Sequence, residues 1–294
     1  MSISITDLSE GLASLVERAG PSVLGVGAST GIAWTSDLAI TSASSLRCAS
    51  GSVEVRLPDG ATTEGQVLGF DAASDLAVVR VASGGLSPIA RRDAGKSARV
   101  GEVVLALGRP GRAIRASQRI VGLVGKDVRA RRGLVLRDYV EMDRGFPDGF
   151  VGGPVVDASG ALVGLGTDRV IRGADLAMTA AQLGPVVDQI VKDGRPALGW
   201  LGVAVQPARL PDRLASEVPA LSGALVTAIE NGGPADAGGL VVGDVVVGLD
   251  ASVIDGPDAL LALLRNLADK TVSLRLVRGG AITTIQAAVG TRKR

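Results

Sequence analysis

The sequence predicts a mainly β protein of two domains, and three observations carry that prediction. The chain has 294 residues, which is enough for about two domains of ordinary size. Its 41 glycines and 13 prolines are set among short Val, Ile and Leu runs, a pattern of many short strands joined by turns. Hydrophobic residues make up 46% but aromatics only 2%, so the cores must be built from Val, Leu, Ile and Ala. Regularly spaced short strands of this kind suggest barrels or sandwiches.

The elements follow in order. Leu8, Leu12, Leu15, Val16 and Ala19 fall at helical spacing. Asp7 and Glu10 form the expected capping box, and Gly20-Pro21 ends the helix. This helix is expected to pack on its own domain, with an oligomer contact as the alternative. From about Val23 to Asp168 strands and turns alternate. Pro58-Asp59-Gly60 marks a tight turn after VEVRL (53–57) and before the run reaching Val67-Leu68. Asp157-Ala158-Ser159-Gly160 predicts a hairpin between PVV (154–156) and ALVGLG (161–166).

A second helix is expected after Thr179, with Leu183, Val186, Val187, Ile190 and Val191 as its apolar stripe. Gly194 and Pro196 end it, and residues 183–196 form the expected helical linker between a domain at 1–182 and one at 197–294. In the second domain Pro257 starts a helix over 257–267, with Leu260, Leu263, Leu264 and Leu267 facing inward. Arg278-Gly279-Gly280 turns between TVSLRLV (271–277) and AITTIQAAV (281–289).

Charge and composition narrow the function. Net charge is +1, from 31 basic and 30 acidic residues, so nothing asks for a nucleic-acid partner or an anionic membrane. The basic cluster Arg292-Lys293-Arg294 is short and reads as a solvated tail. No apolar run reaches the ~18 residues that span a bilayer, so no membrane insertion is expected. The first residues lack a basic region followed by an apolar core, which predicts a cytoplasmic protein, or a periplasmic one if the chain was trimmed. Cys48 is the single cysteine, so no intrachain disulfide forms. There is no histidine, which removes the commonest general base and the commonest metal ligand together. No metal and no cofactor are expected.

Three segments, in order, resemble the HtrA (DegP) branch of trypsin-like serine proteases. In LAITSASSL (38–46) Thr41 matches a Thr-x-x-His pattern, and Ser44 stands where the family's histidine belongs. DAASDLAVVRV (71–81) resembles the segment of the catalytic aspartate, which falls on Asp75. GFVGGPVVDASGALVGL (149–165) resembles the nucleophile loop, with Val151 at the nucleophile position and Gly149 and Gly152 in the oxyanion loop. ALGRPG (106–111) and residues 176–203 add supporting matches. The resemblance covers residues 10–290 and implies a trypsin-like double β-barrel followed by a PDZ domain (α+β). The family's trimers use aromatic contacts near the N-terminus, and no aromatic precedes Trp34 here.

A triad protease needs an attacking hydroxyl, an imidazole and an orienting carboxylate. Only Asp75 offers its expected group, so the residues predict a pseudoprotease, not an enzyme, with Ser44, Asp75 and Val151 as vestigial positions. Bland alternatives accompany Asp75 and the loop of Val151. Asp75 caps the turn before LAVVRV, and Gly-Gly-Pro builds the turn into the next strand. Substitute nucleophiles are disfavoured: Cys48 has no imidazole partner, and Lys96, Lys126, Lys192 and Lys270 sit in no dyad motif, which leaves a serine-type endopeptidase with unorthodox catalytic residues as the alternative.

The PDZ resemblance is carried by GALVTAIENGGPADAGGLVVGDVVVGLD (223–250), with Pro234 opening a short helix and Asp244 supporting a turn. It implies a groove for an extended peptide, added as a strand to a sheet edge. Trp200, Leu201, Gly202 and Val203 would form the carboxylate-binding loop, and Ala204 and Val205 would continue the pairing strand. Leu260 and Leu264 would form the opposite wall, and Arg195 would add positive charge. Trp200 has a second reading, as a plug at the domain junction. The expected ligands are peptides or protein C-termini with apolar ends. The implied role is scaffold, chaperone-like binder or regulator, with HtrA-type proteases or further copies of the chain as partners.

Overall fold

The computed structural model describes residues 4–46, 51–93, 95–130, 133–194, 199–265 and 267–291. Cys48, Arg195 and Arg292-Lys293-Arg294 lie outside the described residues. The chain divides into two compact units, one of residues 1–130 and 136–196, the other of residues 131–135 and 197–294.

The first unit opens with helix α1 (Ile5–Ala19). Its cap is Ser4, not Asp7: the Asp7 N–H donates to Ser4 Oγ, and the Ser4 N–H is answered by the Asp7 carboxylate. The sequence pattern placed the box three residues late because Asp7 and Glu10 have the same spacing as Ser4 and Asp7. Leu15 and Ala19 are buried, whereas Ile5 and Leu8 stand in solvent.

Two closed barrels follow, which makes the protein mainly β, as expected. The first joins β1 (Val23–Val26), β2 (Ser29–Ala33), β3 (Leu38–Ser42), β4 (Ser52–Arg56), β5 (Thr62–Asp71) and β6 (Leu76–Val81), in the order β1-β2-β3-β6-β5-β4. Pairing of β1 with β4 closes it. Gly60 takes φ +90 in the predicted turn between β4 and β5, where its N–H reaches the Leu57 carbonyl. Leu24, Val26, Val55, Ala77 and Val79 fill the interior, aliphatic throughout, as the composition required.

The second barrel joins β7 (Val103–Gly108), β8 (Arg115–Gly125), β11 (Tyr139–Met142), β12 (Pro154–Val156), β13 (Leu162–Thr167) and β14 (Leu176–Met178). The short strands β9 (Val128–Arg129) and β10 (Val135–Leu136) pair outside it. The hairpin at 157–160 forms as predicted. Asp157 Oδ1 accepts the N–H groups of Ser159 and Ala161, which fixes the turn between β12 and β13.

Helix α2 (Ala180–Asp193) ends at Gly194, whose φ of +72 only glycine adopts freely. Residues 183–193, expected as part of a linker, instead belong to the first unit. Leu183, Val187 and Ile190 are fully buried, each contributing roughly 1.5–3 kcal/mol of hydrophobic stabilisation. An amphipathic stripe is a packing face, and it found its partner in β5, β6 and β13.

The second unit is a sheet in the order β16 (Val203–Arg209), β17 (Ser222–Ile229), β18 (Val245–Leu249), β20 (Thr271–Arg278) and β21 (Ala281–Ala288), with β19 (Ser252–Val253) beside β18. A short pair, β15 (Gly199–Trp200) with β22 (Gly290–Thr291), forms a separate two-stranded sheet. Helix α3 (Pro234–Ala237) starts at Pro234, as predicted. Helix α4 spans Pro257–Leu264, three residues shorter at its C-terminus than the predicted 257–267. Leu263 and Leu267 still pack on the core, so the apolar stripe runs past the helix that carries most of it.

Asp244 is fully buried and does more than support a turn. Its carboxylate accepts two bonds from the Arg278 guanidinium, at 2.7 and 2.8 Å, and one from the Val241 N–H. Burial pushes its pKa up. The bonds from Arg278 and Val241 and the Arg278 charge outweigh that, so the carboxyl sits below its ordinary value. A lowered folded value means stabilisation that is complete above the ordinary carboxylate range and lost as pH falls through the folded value. Urea unfolding followed from neutral to acid pH should show the second unit losing stability on acidification. Asp244→Asn should lower its stability at neutral pH and flatten that acid dependence.

Candidate functional site

The residues predicted for a protease site occupy the first unit. Strand β3 ends at Ser42 and the chain turns back, so that Ser42 and Ser44 both face Asp75. Asp75 Oδ2 accepts from Ser42 Oγ at 2.6 Å and from Thr167 Oγ1 at 2.8 Å, and Oδ1 accepts the Ser44 N–H at 2.8 Å. Ser44 Oγ lies 2.6 Å from Ser42 Oγ and 3.5 Å from Asp75 Oδ2. Asp75 is 3% exposed and takes a left-handed φ of +54. The result is a carboxyl from the turn between β5 and β6 at the centre of hydroxyls from β3, the turn after it and β13.

The turn-capping role expected of Asp75 belongs to Asp71. That carboxylate accepts the N–H groups of Ala73 and Ser74 and the Ser74 hydroxyl. Both aspartates flank the same turn, and only the fold decides which carboxyl turns inward. The sequence reading missed Ser42 and Thr167 entirely. Thr167 is 92 residues from Asp75, and no local pattern links them.

Val151 sits on the loop that the resemblance assigned to the nucleophile. Its carbonyl accepts from Ser29 Oγ at 2.6 Å, and the Gly149 carbonyl accepts from Thr30 Oγ1 at 2.6 Å. Gly149 and Gly152 have φ of +80 and +87. A Cβ on Gly149 would meet Pro110 Cβ at 2.4 Å, and one on Gly152 would meet the Thr30 carbonyl and Thr41 Oγ1, each at 2.6 Å. Gly152 is not an oxyanion donor here, because its N–H is spent on the Gly166 carbonyl at 2.8 Å. These glycines are required by left-handed backbone and close approach, the turn-building alternative. The structure thus brings Ser44 and Asp75 into contact and holds Gly152 against the end of β3, without an imidazole or a hydroxyl at position 151.

The residues predicted for peptide binding lie in the second unit, around one groove of about 460 Å³. Trp200, Leu201, Gly202, Val203, Ala204, Val205, Leu260 and Leu264 all line it. Its floor is strand β16, which ends the sheet order. Among the described residues no strand pairs with the outer edge of β16. Helix α4 forms the facing wall.

Peptide geometry shows what the loop before β16 offers. The Leu201 carbonyl accepts from the Ala235 N–H, and the Gly202 carbonyl accepts from the Glu230 N–H, both at 2.8 Å. In a trans peptide the N–H points opposite to the carbonyl. The N–H groups of Gly202 and Val203 are therefore turned away from α3 and β17, towards the open side. Gly202 has φ +76, and a Cβ there would lie 3.1 Å from Trp200 Cζ2, so this turn requires glycine twice over. Two adjacent outward N–H groups above an apolar pocket of Leu201, Val203, Leu260 and Leu264 suit a carboxylate with an apolar side chain.

Trp200, offered either as groove residue or as junction plug, lines the groove and lies against Gly202 and Gly290. Sequence reasoning missed Ala228, Ile229 and Glu230 from β17 and its end, and Leu261 and Arg265 from α4 and its end. Leu261 could have been found, because it lies one position outside the buried Leu260–Leu264 stripe. The β17 residues carried no signal, since their place depends on the register with β16.

Comparisons with known proteins define the class first. Residues 29–165 match the model of the trypsin-like peptidase domain, and residues 199–289 match the model of the PDZ domain. The particular arrangement is that of HtrA/DegP: the chain carries an HtrA/DegP-type trypsin-like protease domain with a C-terminal PDZ domain. Over 248 residues it is 32% identical to a protein of Pseudomonas fulva (strain 12-X) named "Probable periplasmic serine endoprotease DegP-like", covering 81% of this chain and 50% of the relative. A protein of the same name from Chlamydia pneumoniae is 28% identical over 250 residues, covering 81% and 50%. The solved "HtrA-type protease AlgWS227A with tripeptide" superposes with a TM-score of 0.75 at 26% identity, over 96% of this chain and 97% of that one. The chain spans about half the length of the curated relatives it matches.

Two expectations are corrected by these comparisons. The prediction that the chain is not an enzyme is overturned: its relatives are named serine endoproteases and its structural neighbour an HtrA-type protease, which point to an enzyme. The expected cytoplasmic location is overturned likewise, since the same relatives are named periplasmic. Both expectations were drawn from what the sequence lacks.

Two measurements probe the first-unit site. Asp75→Ala strips the acceptor from two buried hydroxyls and should cost about 2–3 kcal/mol in chemical denaturation. Whatever casein turnover the purified chain gives, Val151→Ala should leave it unchanged, because a valine side chain has no electron pair to attack with. A tenfold loss would contradict that assignment.

Proposed function

We propose that the chain captures extended peptides, and protein C-termini with apolar ends, in the groove between β16 and α4 of its PDZ domain. The observation that carries this reading is the outer edge of β16, unpaired among the described residues and facing α4, closed at one end by the outward N–H groups of Gly202 and Val203. An added strand satisfies the edge, the N–H pair receives the terminal carboxylate, and the last side chain enters the aliphatic pocket. The solved AlgW structures carry a tripeptide or a decapeptide by name, which supports a peptide as the occupant. The relatives' names further support a periplasmic setting and a place in serine endoproteolysis, with this groove supplying recognition.

A second reading places the chain as a subunit in assemblies of HtrA-type proteases. It is favoured by α1, whose Ile5 is 88% exposed and Leu8 54% exposed, an apolar edge left uncovered by its own unit. Sedimentation of the purified chain, alone and mixed with an HtrA-type protease, tests it. Assembly should be lost in a chain with Ile5→Asp and Leu8→Asp.

Fluorescence anisotropy with Leu- or Val-ended peptides tests the capture reading. Binding should be in the micromolar range, about −8 kcal/mol. Amidation of the peptide C-terminus and Gly202→Asp should each weaken it at least about tenfold, a change of ~1.4 kcal/mol. Equal affinity for the acid and the amide would remove the carboxylate from the account.

A further inference from the structure

We propose that Glu230 makes the groove select a basic residue immediately before the apolar end of the bound peptide. This rests on the capture reading above and assigns a sequence preference to it.

The argument starts from strand register. Val203 pairs with Ile229 and Ala204 with Ala228. Val203, Val205 and Ile229 pack on the core, which fixes the face they share. Side chains alternate along a strand, so Ala204, Ala228 and Glu230 belong to the opposite face. All three are exposed, and all three line the groove. That face is two methyl groups and one carboxylate.

A peptide added to the outer edge of β16 obeys the same alternation. If its last side chain enters the pocket of Leu201, Val203, Leu260 and Leu264, the side chain before it emerges on the face of Ala204. Strands lie about 4.8 Å apart, so the β17 edge is about 10 Å from the ligand backbone, two spacings away. Ala204 and Ala228 leave that path open. A lysine or arginine side chain crosses it and reaches Glu230, and a short side chain does not.

Glu230 is held where this requires. Its N–H donates to the Gly202 carbonyl at 2.8 Å, and its Cβ lies within 3.4 Å of where a Cβ on Gly202 would be. The carboxylate therefore stands beside the terminal-residue end of the groove. No ion pair among the described residues engages it. Arg265, at the end of the facing helix, already has a partner of its own. Without a cation at the penultimate position, Glu230 and the peptide's terminal carboxylate repel each other, and a penultimate cation lies between the two.

The test uses the full chain and three Leu-ended peptides that differ only in carrying Lys, Ala or Glu at the penultimate position. Anisotropy should rank them Lys, Ala, Glu in falling affinity, with about 2- to 5-fold between neighbours at low salt, the scale of an exposed ion pair. The spread should narrow at about 0.5 M salt. Glu230→Lys should invert the order, and Gly202→Asp should remove binding of all three, tying the signal to the groove. Equal affinities for the three peptides, or an order that survives Glu230→Lys, would overturn the assignment of Glu230. Failure of every peptide to bind the unaltered chain would overturn the capture reading itself, together with this extension of it.

Discussion

The outer edge of β16 is the feature on which the second unit turns. A strand at the end of a sheet presents unpaired N–H and C=O groups, and proteins rarely leave such a row bare. Here β16 stands at the end of the sheet order with α4 opposite and an aliphatic pocket between them. The helix lines the pocket with Leu260 and Leu264 but, among the described residues, leaves the edge itself open. Gly202 closes one end by turning its own N–H and that of Val203 outward, a geometry fixed by carbonyls already committed to Ala235 and Glu230. The same bonds that tie the loop to its own domain therefore turn this N–H pair towards the groove, where the proposed carboxylate would sit.

The first unit shows a different logic. Its barrels hold Asp75 inside a set of hydroxyl donors from Ser42, Ser44 and Thr167. The buried carboxyl needs such partners wherever it stands, because an unmatched buried polar group costs about 1–3 kcal/mol. Ser44 keeps contact with Asp75 through both its backbone N–H and its hydroxyl. The glycines around Val151 hold their loop by steric necessity, whatever chemistry runs beside it.

Much of this was legible in the sequence. The hairpin at 157–160, the helix starting at Pro257 and the aliphatic cores all follow from local patterns. What escaped the sequence has a common physical cause. Thr167 reaches Asp75 across 92 residues, and Glu230 reaches the groove only through the register of β16 with β17. The capping box was misplaced because two overlapping spacings are equivalent until the backbone chooses. The helical linker failed because an apolar stripe announces burial but not the surface that will cover it.

The sequence by itself determined the elements, the turn positions that demand glycine, and the absence of any imidazole, since these depend on residue type and near neighbours. The tertiary structure alone decided which aspartate turned inward, where α2 docked and which β17 side chains joined the groove. Those outcomes depend on contacts between residues far apart in the chain. Their energies appear only once the strands have paired and the helices have found the faces they cover.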